Sequence, residues 1–251
     1  MGRRRVPQTL SPRALPRFFV PKSVLEVRLL PDAVVHHARR VLRLEAGEWI
    51  CLLDGEGGVY LAELGTEADR IAQVVPSQLD TELPFAVSVL QSLIHADKAE
   101  TVVRLGVQGG ATALHFAASA RSLVQWDAAK RARYAQRWQT IAQEEAALAC
   151  RAWLPRVQLW DNWHAAIASL PRPVLVLDEW EGVMPLKQRC RRMPMPSALS
   201  LVVGPEGGFS PAEREWLQTQ PETYAVSLGS RVLRTETAAF YALAQLAALW
   251  E

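Results

Sequence analysis

The sequence of 251 residues is poor in cysteine and in long apolar stretches, and each shortage excludes a class of protein. Its three cysteines, Cys51, Cys150 and Cys190, lie far apart, and none forms a CxxC pair. This spacing excludes a disulfide framework and a zinc cluster. The longest apolar stretch, 238–250, is interrupted by Gln245 and is too short to span a bilayer. The basic N-terminus lacks the apolar segment of a secretory signal, so we expect a cytoplasmic protein.

The net charge is also small, at +2, but the charges are unevenly distributed. Residues 1–43 carry a net charge of +8, and the rest of the chain carries −6. A basic end on a mildly acidic protein indicates a polyanionic partner, of which nucleic acid is the commonest. A solvated tail is the alternative interpretation, and charge alone does not separate the two.

Composition and periodicity divide the chain into three segments. Residues 1–16 are rich in Arg and Pro, and we predict a basic disordered tail there. Residues 17–80 combine short alternating strands with one helix over 33–42, capped by Asp32, which is typical of a small β-barrel. Residues 81–251 alternate strands with helices, which predicts an α/β domain with a mostly parallel sheet covered on both faces.

A glycine-rich turn in the third segment is the densest local signal. The strand at 199–203 runs into GPEGG at 204–208, and Ser210 with Glu213 forms a capping box that starts a helix. Glycines after a parallel strand let a ligand approach the backbone closely. No Lys-Ser/Thr pair follows, so the turn is not a P-loop.

A second strand ends in a similar way, at Gly229, and its loop opens a helix at Thr235. Taken alone, this loop is compatible with an ordinary capped helix. Two such loops after neighbouring strands would form one pocket built from backbone amides and carbonyls.

Together these motifs resemble those of a known family. GPEGGFSPAE at 204–213 and LGSRVLRTETA at 228–238 resemble the C-terminal signature of SPOUT-class methyltransferases, and in particular of the RsmE family. That family methylates N3 of a uridine in 16S ribosomal RNA. The N-terminal half is similar too, with RFF at 17–19 and the pattern H-x-x-x-V-L-R-x-x-x-G over 37–47.

The resemblance implies a fold, a cofactor and partners. It implies a PUA-like RNA-binding β-barrel at 17–80 and a SPOUT α/β domain with a deep trefoil knot at 81–251. It further implies a homodimer that acts on 16S ribosomal RNA or the small ribosomal subunit. S-adenosylmethionine would lie among three loops, at positions that correspond here to Leu177, Gly204, Glu206, Gly207, Leu228, Gly229 and Leu233.

The chemistry indicates which side chains the reaction needs. N3 of uridine becomes nucleophilic only when its imide proton leaves, and a cation stabilises the negative charge that develops on the uracil. Arg234 is the first candidate for that role and Arg231 the second, although both could instead bind phosphate or cap a carbonyl. Glu206 could act as the base, or accept a hydrogen bond from the cofactor. No metal site is expected, because no histidine has metal-ligand spacing.

The basic residues of the N-terminal module are the candidates for RNA contact, namely Arg17, His37, Arg40 and Arg43. His37 is equally compatible with a packing role.

Two segments depart from the family pattern, which leaves alternative functions open. LGVQGG stands at 105–110 where the family has KATELG, and EEAALACR stands at 144–151 where it has EAAEQSGR. A non-catalytic RNA-binding or ribosome-assembly factor is one alternative, and a methyltransferase with another RNA target is a second. Both cofactor loops are retained, which favours an enzyme.

Overall fold

A computed structural model describes residues 10–180 and 182–250, which form two compact units. The first unit extends to Glu82 and also takes in Ala146–Leu154, and the second comprises Leu83–Glu145 and the chain from Pro155 onward. The sequence predicts a division near residue 81, but it does not predict that a later segment joins the first unit. Residues 1–9 of the predicted tail lie outside the described residues.

The described part of the predicted tail, residues 10–16, is ordered. Pro12–Ala14 form a 3-10 helix, and the Ser11 side chain caps it by accepting a hydrogen bond from the Arg13 amide at 3.3 Å. Leu10 and Leu15 pack against a buried apolar cluster of the first unit. Partial burial of these two leucines offsets the high Arg and Pro content, so this part of the predicted tail has a defined conformation.

A four-stranded sheet forms the first unit, in the order β1-β2-β3-β4. Strand β1 pairs in parallel with β2, and the other pairs are antiparallel. The Asp54 carboxylate accepts hydrogen bonds from the Glu56 and Gly58 amides, each at 2.8 Å, which fixes the turn between β2 and β3. The strands span Arg17–Phe19 (β1), Trp49–Leu53 (β2), Val59–Leu64 (β3) and Ile71–Ser77 (β4).

Helices follow the first strand. Helix α1 spans Lys22–Val27, and α2 spans Asp32–Val35 and continues into a π-helix over His36–Val41. The predicted helix at 33–42 is therefore present, but Asp32 is its first residue and makes no capping hydrogen bond, because Pro31 occupies the cap position. π-Helical turns are rare and are found frequently at functional sites.

The segment Ala146–Leu154, here called the return segment, is attached to the first unit by side chains and backbone. Arg17 Nε donates to the Ala147 carbonyl at 2.6 Å, and Thr81 Oγ1 donates to the Cys150 carbonyl at 3.0 Å. Arg151, which is almost fully buried, forms an ion pair with Glu82. The return segment is thus a structural part of the first unit.

A six-stranded, wholly parallel sheet forms the second unit, in the order β10-β8-β9-β5-β6-β7. Its strands are β5 (Ala86–Ser92), β6 (Ala113–Ala117), β7 (Arg156–Leu159), β8 (Val174–Leu177), β9 (Ala198–Val203) and β10 (Thr223–Val226). The intervening helices are α3 (Ala96–Gln108), α4 (Ala128–Leu148), α5 (Trp163–Ala168), α6 (Leu186–Arg191), α7 (Pro211–Thr219) and α8 (Thr235–Trp250).

The parallel pairing explains where ligands can bind. All four residues of β8 are buried, as expected for a strand covered on both faces, so the sheet offers its edge rather than its faces. Strands β10, β8 and β9 are neighbours, and their carboxyl ends lie side by side. Among the described residues, no helix is long and apolar enough to cross a bilayer. The trefoil knot remains a prediction.

Candidate active site

A pocket lies at the carboxyl ends of β8, β9 and β10, and three loops line it. The first loop begins at Leu177, the second carries the GPEGG motif at 204–208, and the third extends from Ser227 to Thr235. Six of the seven residues predicted to bind the cofactor line this pocket: Leu177, Gly204, Glu206, Leu228, Gly229 and Leu233.

Gly207, the seventh, is not among the lining residues. Its carbonyl oxygen accepts a hydrogen bond from Arg121 Nη1 at 3.0 Å. Gly207 therefore contributes to the conformation of the glycine-rich turn through Arg121 rather than to the wall of the pocket.

The walls of the pocket fit the predicted cofactor. Val203, Phe209 and Ala238 supply apolar surface, and the two glycine-containing loops supply backbone donors and acceptors, which suits an adenosine group. Gly229 adopts φ +124°, a backbone conformation that favours glycine. The space beside its Cα is open, because an added Cβ would meet no atom within 4 Å. Carboxylates on the lining suit a positively charged sulfonium.

A buried hydrogen-bond network joins two of the three loops. Thr235 Oγ1 donates to the Gly204 carbonyl at 2.6 Å. Gln91, fully buried at the end of β5, donates from Nε2 to Thr235 Oγ1 at 2.8 Å and to the Gly204 carbonyl at 3.2 Å. The hydroxyl of Thr235 thus fixes the separation between the loop after β9 and the start of α8.

Thr235→Val is expected to weaken cofactor binding about 3- to 10-fold and to destabilise the protein by about 1–3 kcal/mol, because it removes two hydrogen bonds of the buried network. The side chains have nearly the same volume, so no cavity is formed. Calorimetry with S-adenosylmethionine and thermal unfolding measure the two effects. Thr235→Ser retains the hydroxyl and is the control. Equal affinities for Thr235→Val and the wild type would contradict this role.

Glu206 forms an ion pair across the turn. Its carboxylate lies 2.8 Å from Lys98 Nζ, on α3. Burial of the carboxyl raises its pKa, but the hydrogen bond and charge of Lys98 outweigh burial, so the pKa of Glu206 lies below its ordinary value. A carboxylate with a lowered pKa is a weaker base. This geometry argues against Glu206 as the catalytic base.

A second ion pair joins two other residues of the lining. Asp178 directly follows β8, and Arg214 on α7 donates to it from Nε at 2.8 Å and from Nη2 at 3.3 Å. Both side chains are largely buried, and both residues line the pocket. The bidentate pair fixes the loop after β8 to the helix after the glycine-rich turn.

The two candidate catalytic arginines differ in placement. Arg231 lines the pocket, and its Nη2 lies 3.2 Å from the Tyr241 hydroxyl oxygen. Arg234 does not line the pocket; its side chain is 84% exposed and lies 3.9 Å from the Glu236 carboxylate. Its carbonyl accepts the first hydrogen bonds of α8. The structure thus reverses the predicted order of the two residues.

The predicted RNA contacts lie in the first unit. The Arg17 guanidinium donates to the carbonyls of Ala147, Pro12, Arg13 and Leu15, so the structure gives Arg17 a structural role in place of the predicted RNA contact. The other three, His37, Arg40 and Arg43, are exposed on or just after the π-helix.

His37 also makes a packing contact. Its ring meets Phe18 edge to face, with centroids 5.5 Å apart. It therefore combines an exposed position with the packing role that the sequence left open. Among the described residues, no cluster of His, Cys, Asp and Glu could hold a metal ion.

Several residues of the site are absent from the sequence prediction. Asp178 could have been predicted from the sequence, since polar residues at the carboxyl ends of parallel strands lie at the edge of the sheet where ligands bind. No sequence pattern indicates Gln91, Lys98 or Arg214, because each contacts residues of the site only through tertiary packing.

Comparison with known families assigns the class of this fold and pocket. The family model for the RNA methyltransferase domain matches residues 81–247, and the model for the RNA methyltransferase PUA domain matches residues 30–77. The two units thus correspond to the parts of an RNA methyltransferase with an N-terminal PUA domain, which confirms the predicted fold class and enzyme class.

Individual relatives indicate which family of RNA methyltransferases the chain belongs to. Ribosomal RNA small subunit methyltransferase E of Synechocystis is 32% identical over 92% of this chain and 76% of its own length. The Bacillus subtilis protein of the same name is 31% identical over 84% of this chain and 86% of its own length. The crystal structure of the Neisseria gonorrhoeae protein, bound to S-adenosylmethionine, superposes with a TM-score of 0.80 at 29% identity, covering 94% of this chain and 98% of that one. The chain belongs to the ribosomal RNA small subunit methyltransferase E family.

Proposed function

We propose that this protein transfers the methyl group of S-adenosylmethionine to N3 of a uridine in 16S ribosomal RNA, as a homodimer acting on the small ribosomal subunit in the cytoplasm. The observation that carries the proposal is the three-loop pocket, which six of the seven predicted cofactor residues line. The names of the relatives and the S-adenosylmethionine in the Neisseria structure support it.

Different residues of the pocket hold the methyl donor through different kinds of contact. Gly204, Leu228 and Gly229 present backbone groups, and Val203, Phe209 and Leu233 provide the apolar walls. The donor supplies a methyl group on a positively charged sulfur, so its transfer depends chiefly on positioning. The two loops joined through Thr235 and Gln91 provide that positioning.

The acceptor must lose its N3 proton before it attacks. Arg231 is the arginine on the pocket wall, and a guanidinium there stabilises the negative charge that develops on the uracil. Glu206 is held as a carboxylate by Lys98 and orients the glycine-rich turn. In this scheme the proton leaves to solvent, and the residues of the site hold the resulting anion.

The exposed face around the π-helix provides a surface for RNA. His36, His37 and Arg40 on the π-helix and Arg43 just after it are all exposed. Basic side chains close together in the chain bind phosphates irrespective of sequence, which positions the RNA without selecting the base.

The direct test incubates the full chain with S-adenosylmethionine and small ribosomal subunits assembled from 16S ribosomal RNA transcribed in vitro. Nucleoside mass spectrometry then identifies the product, and N3-methyluridine is expected. Methylation of transfer RNA alone would assign another target. Absence of methyl transfer together with absence of cofactor binding by calorimetry would favour a non-catalytic assembly factor.

The pH dependence of the reaction separates the two roles considered for Glu206. The rate at limiting RNA is expected to rise about tenfold per pH unit between about pH 6 and 8, because a larger fraction of N3 is deprotonated as the pH rises. The hydrogen bond and charge of Lys98 hold the pKa of Glu206 below its ordinary value, so the carboxyl is ionised throughout this range. Glu206→Gln is therefore expected to keep the same slope. A wild-type rate that is flat between about pH 6 and 8, together with a slower Glu206→Gln variant whose rate rises with pH, would restore Glu206 as the base.

A further inference from the structure

Trp180 is an exposed tryptophan next to the pocket. It lies three residues after the end of β8, and 56% of its surface is exposed. Exposing a large aromatic ring is costly in water, so an exposed ring beside a ligand pocket indicates a binding role.

Trp180 is held in place from one side. The guanidinium carbon of Arg214 lies 3.9 Å from the centre of its ring. Arg214 is in turn fixed by its bidentate ion pair with the buried Asp178. The guanidinium therefore covers one face of the indole with little freedom to move, and more than half of the residue's surface is left to solvent. A rigid ring with an open face binds another planar group at low entropic cost.

The position of Trp180 relative to the pocket is defined by its neighbours. Asp178, Glu179 and Arg214 line the pocket, whereas Trp180 does not. A Cβ on Gly208 of the glycine-rich turn would lie 3.6 Å from Arg214 Nη2. The Arg214 guanidinium thus lies close both to Trp180 and to the loop after β9, and the ring lies at the rim of the pocket rather than inside it.

We propose that Trp180 is a stacking platform for a base of the substrate RNA at the mouth of the pocket, and that it holds the RNA there throughout the reaction. The inference rests on the proposed function. A base presented to the pocket must first leave its own stack, and a fixed ring at the rim replaces part of the stacking that is lost. The guanidinium beneath the ring adds a cation–π interaction to the same stack. A cofactor group would occupy the pocket itself, where Trp180 is absent from the lining.

Steady-state kinetics of the full chain with the reconstituted small subunits tests this role. Stacking of a base on an aromatic ring is worth about 1–3 kcal/mol, so Trp180→Leu is expected to raise KM for the subunit about 5- to 150-fold with kcat nearly unchanged. Trp180→Phe retains an aromatic face and is the matched control, with KM expected within about threefold of the wild type. The Kd for S-adenosylmethionine, measured by calorimetry without RNA, is expected to be the same for all three proteins.

Other outcomes separate the alternatives. An unchanged KM for Trp180→Leu would overturn the platform. A raised Kd for the cofactor would place the ring on S-adenosylmethionine, and an altered mass by light scattering would place it between two copies of the chain; each overturns the inference. If the wild type forms no N3-methyluridine, the proposed function fails. The Kd for 16S ribosomal RNA from fluorescence anisotropy then decides the role of Trp180 separately.

Discussion

Replacing Gly229 by valine is expected to weaken the binding of S-adenosylmethionine about 10- to 100-fold, because valine is strained at φ +124° by about 1–3 kcal/mol. In the free protein the loop relaxes toward a negative φ. Binding then requires the loop to return to its strained conformation, so the strain energy is subtracted from the binding energy. Calorimetry of the full chain measures the loss directly.

Gly182 provides a matched control for this substitution. It has φ +83°, and like Gly229 it has no atom within 4 Å of an added Cβ. Gly182 does not line the pocket. Gly182→Val introduces a similar backbone strain away from the pocket and is therefore expected to leave cofactor affinity unchanged, while thermal unfolding checks that both variants are folded. If both variants bind S-adenosylmethionine as tightly as the wild type, the loop at Gly229 is not part of the cofactor site.

Arg151→Ala is expected to destabilise the first unit by about 3–5 kcal/mol, because it removes one partner of a buried ion pair. The Arg151 side chain is 2% exposed, and Nε lies 3.1 Å from each carboxylate oxygen of Glu82. Alanine would leave that carboxylate without its bidentate donor and open a cavity beneath the return segment. Hydrogen exchange of the β2 and β3 amides reports on this unit alone.

Two further variants define the effect of Arg151. Arg151→Lys retains the charge but loses the bidentate geometry, so an intermediate loss is expected. Arg156→Ala removes an exposed arginine close by in sequence and is expected to leave the exchange rates nearly unchanged. A loss below about 1 kcal/mol for Arg151→Ala would show that the pair does not attach the return segment.

Local spacing explains which parts of the fold could be predicted. The capping box of Ser210 and Glu213 is present as expected, because its two hydrogen bonds join residues three apart in sequence. The parallel sheet follows from the alternation of apolar strands and helices, and its carboxyl edge follows from parallel pairing. The placement of the GPEGG turn at the pocket depends only on these local patterns.

Tertiary partners explain what the sequence could not give. Arg17 has the appearance of an RNA contact, but one of its partners is the Ala147 carbonyl, 130 residues away. Arg214 meets Asp178 across 36 residues, and Lys98 meets Glu206 across 108. The periodicity of apolar residues along the sequence gives no indication of such pairs. Arg231 and Arg234 lie three residues apart in one motif, and only the path of the loop into α8 decides which of them lines the pocket.

The return segment has a consequence for how the chain folds as it is synthesised. Strands β1 to β4 leave the ribosome first, but the partner of Glu82 and the acceptor for Arg17 Nε emerge only with Ala146–Leu154. The first unit therefore remains incomplete until all of α4 and the residues that follow it have been translated. A gene truncated after residue 80 would encode a module that lacks these contacts. An autonomous version would have to be built by joining residues 146–154 to the shortened chain through a linker.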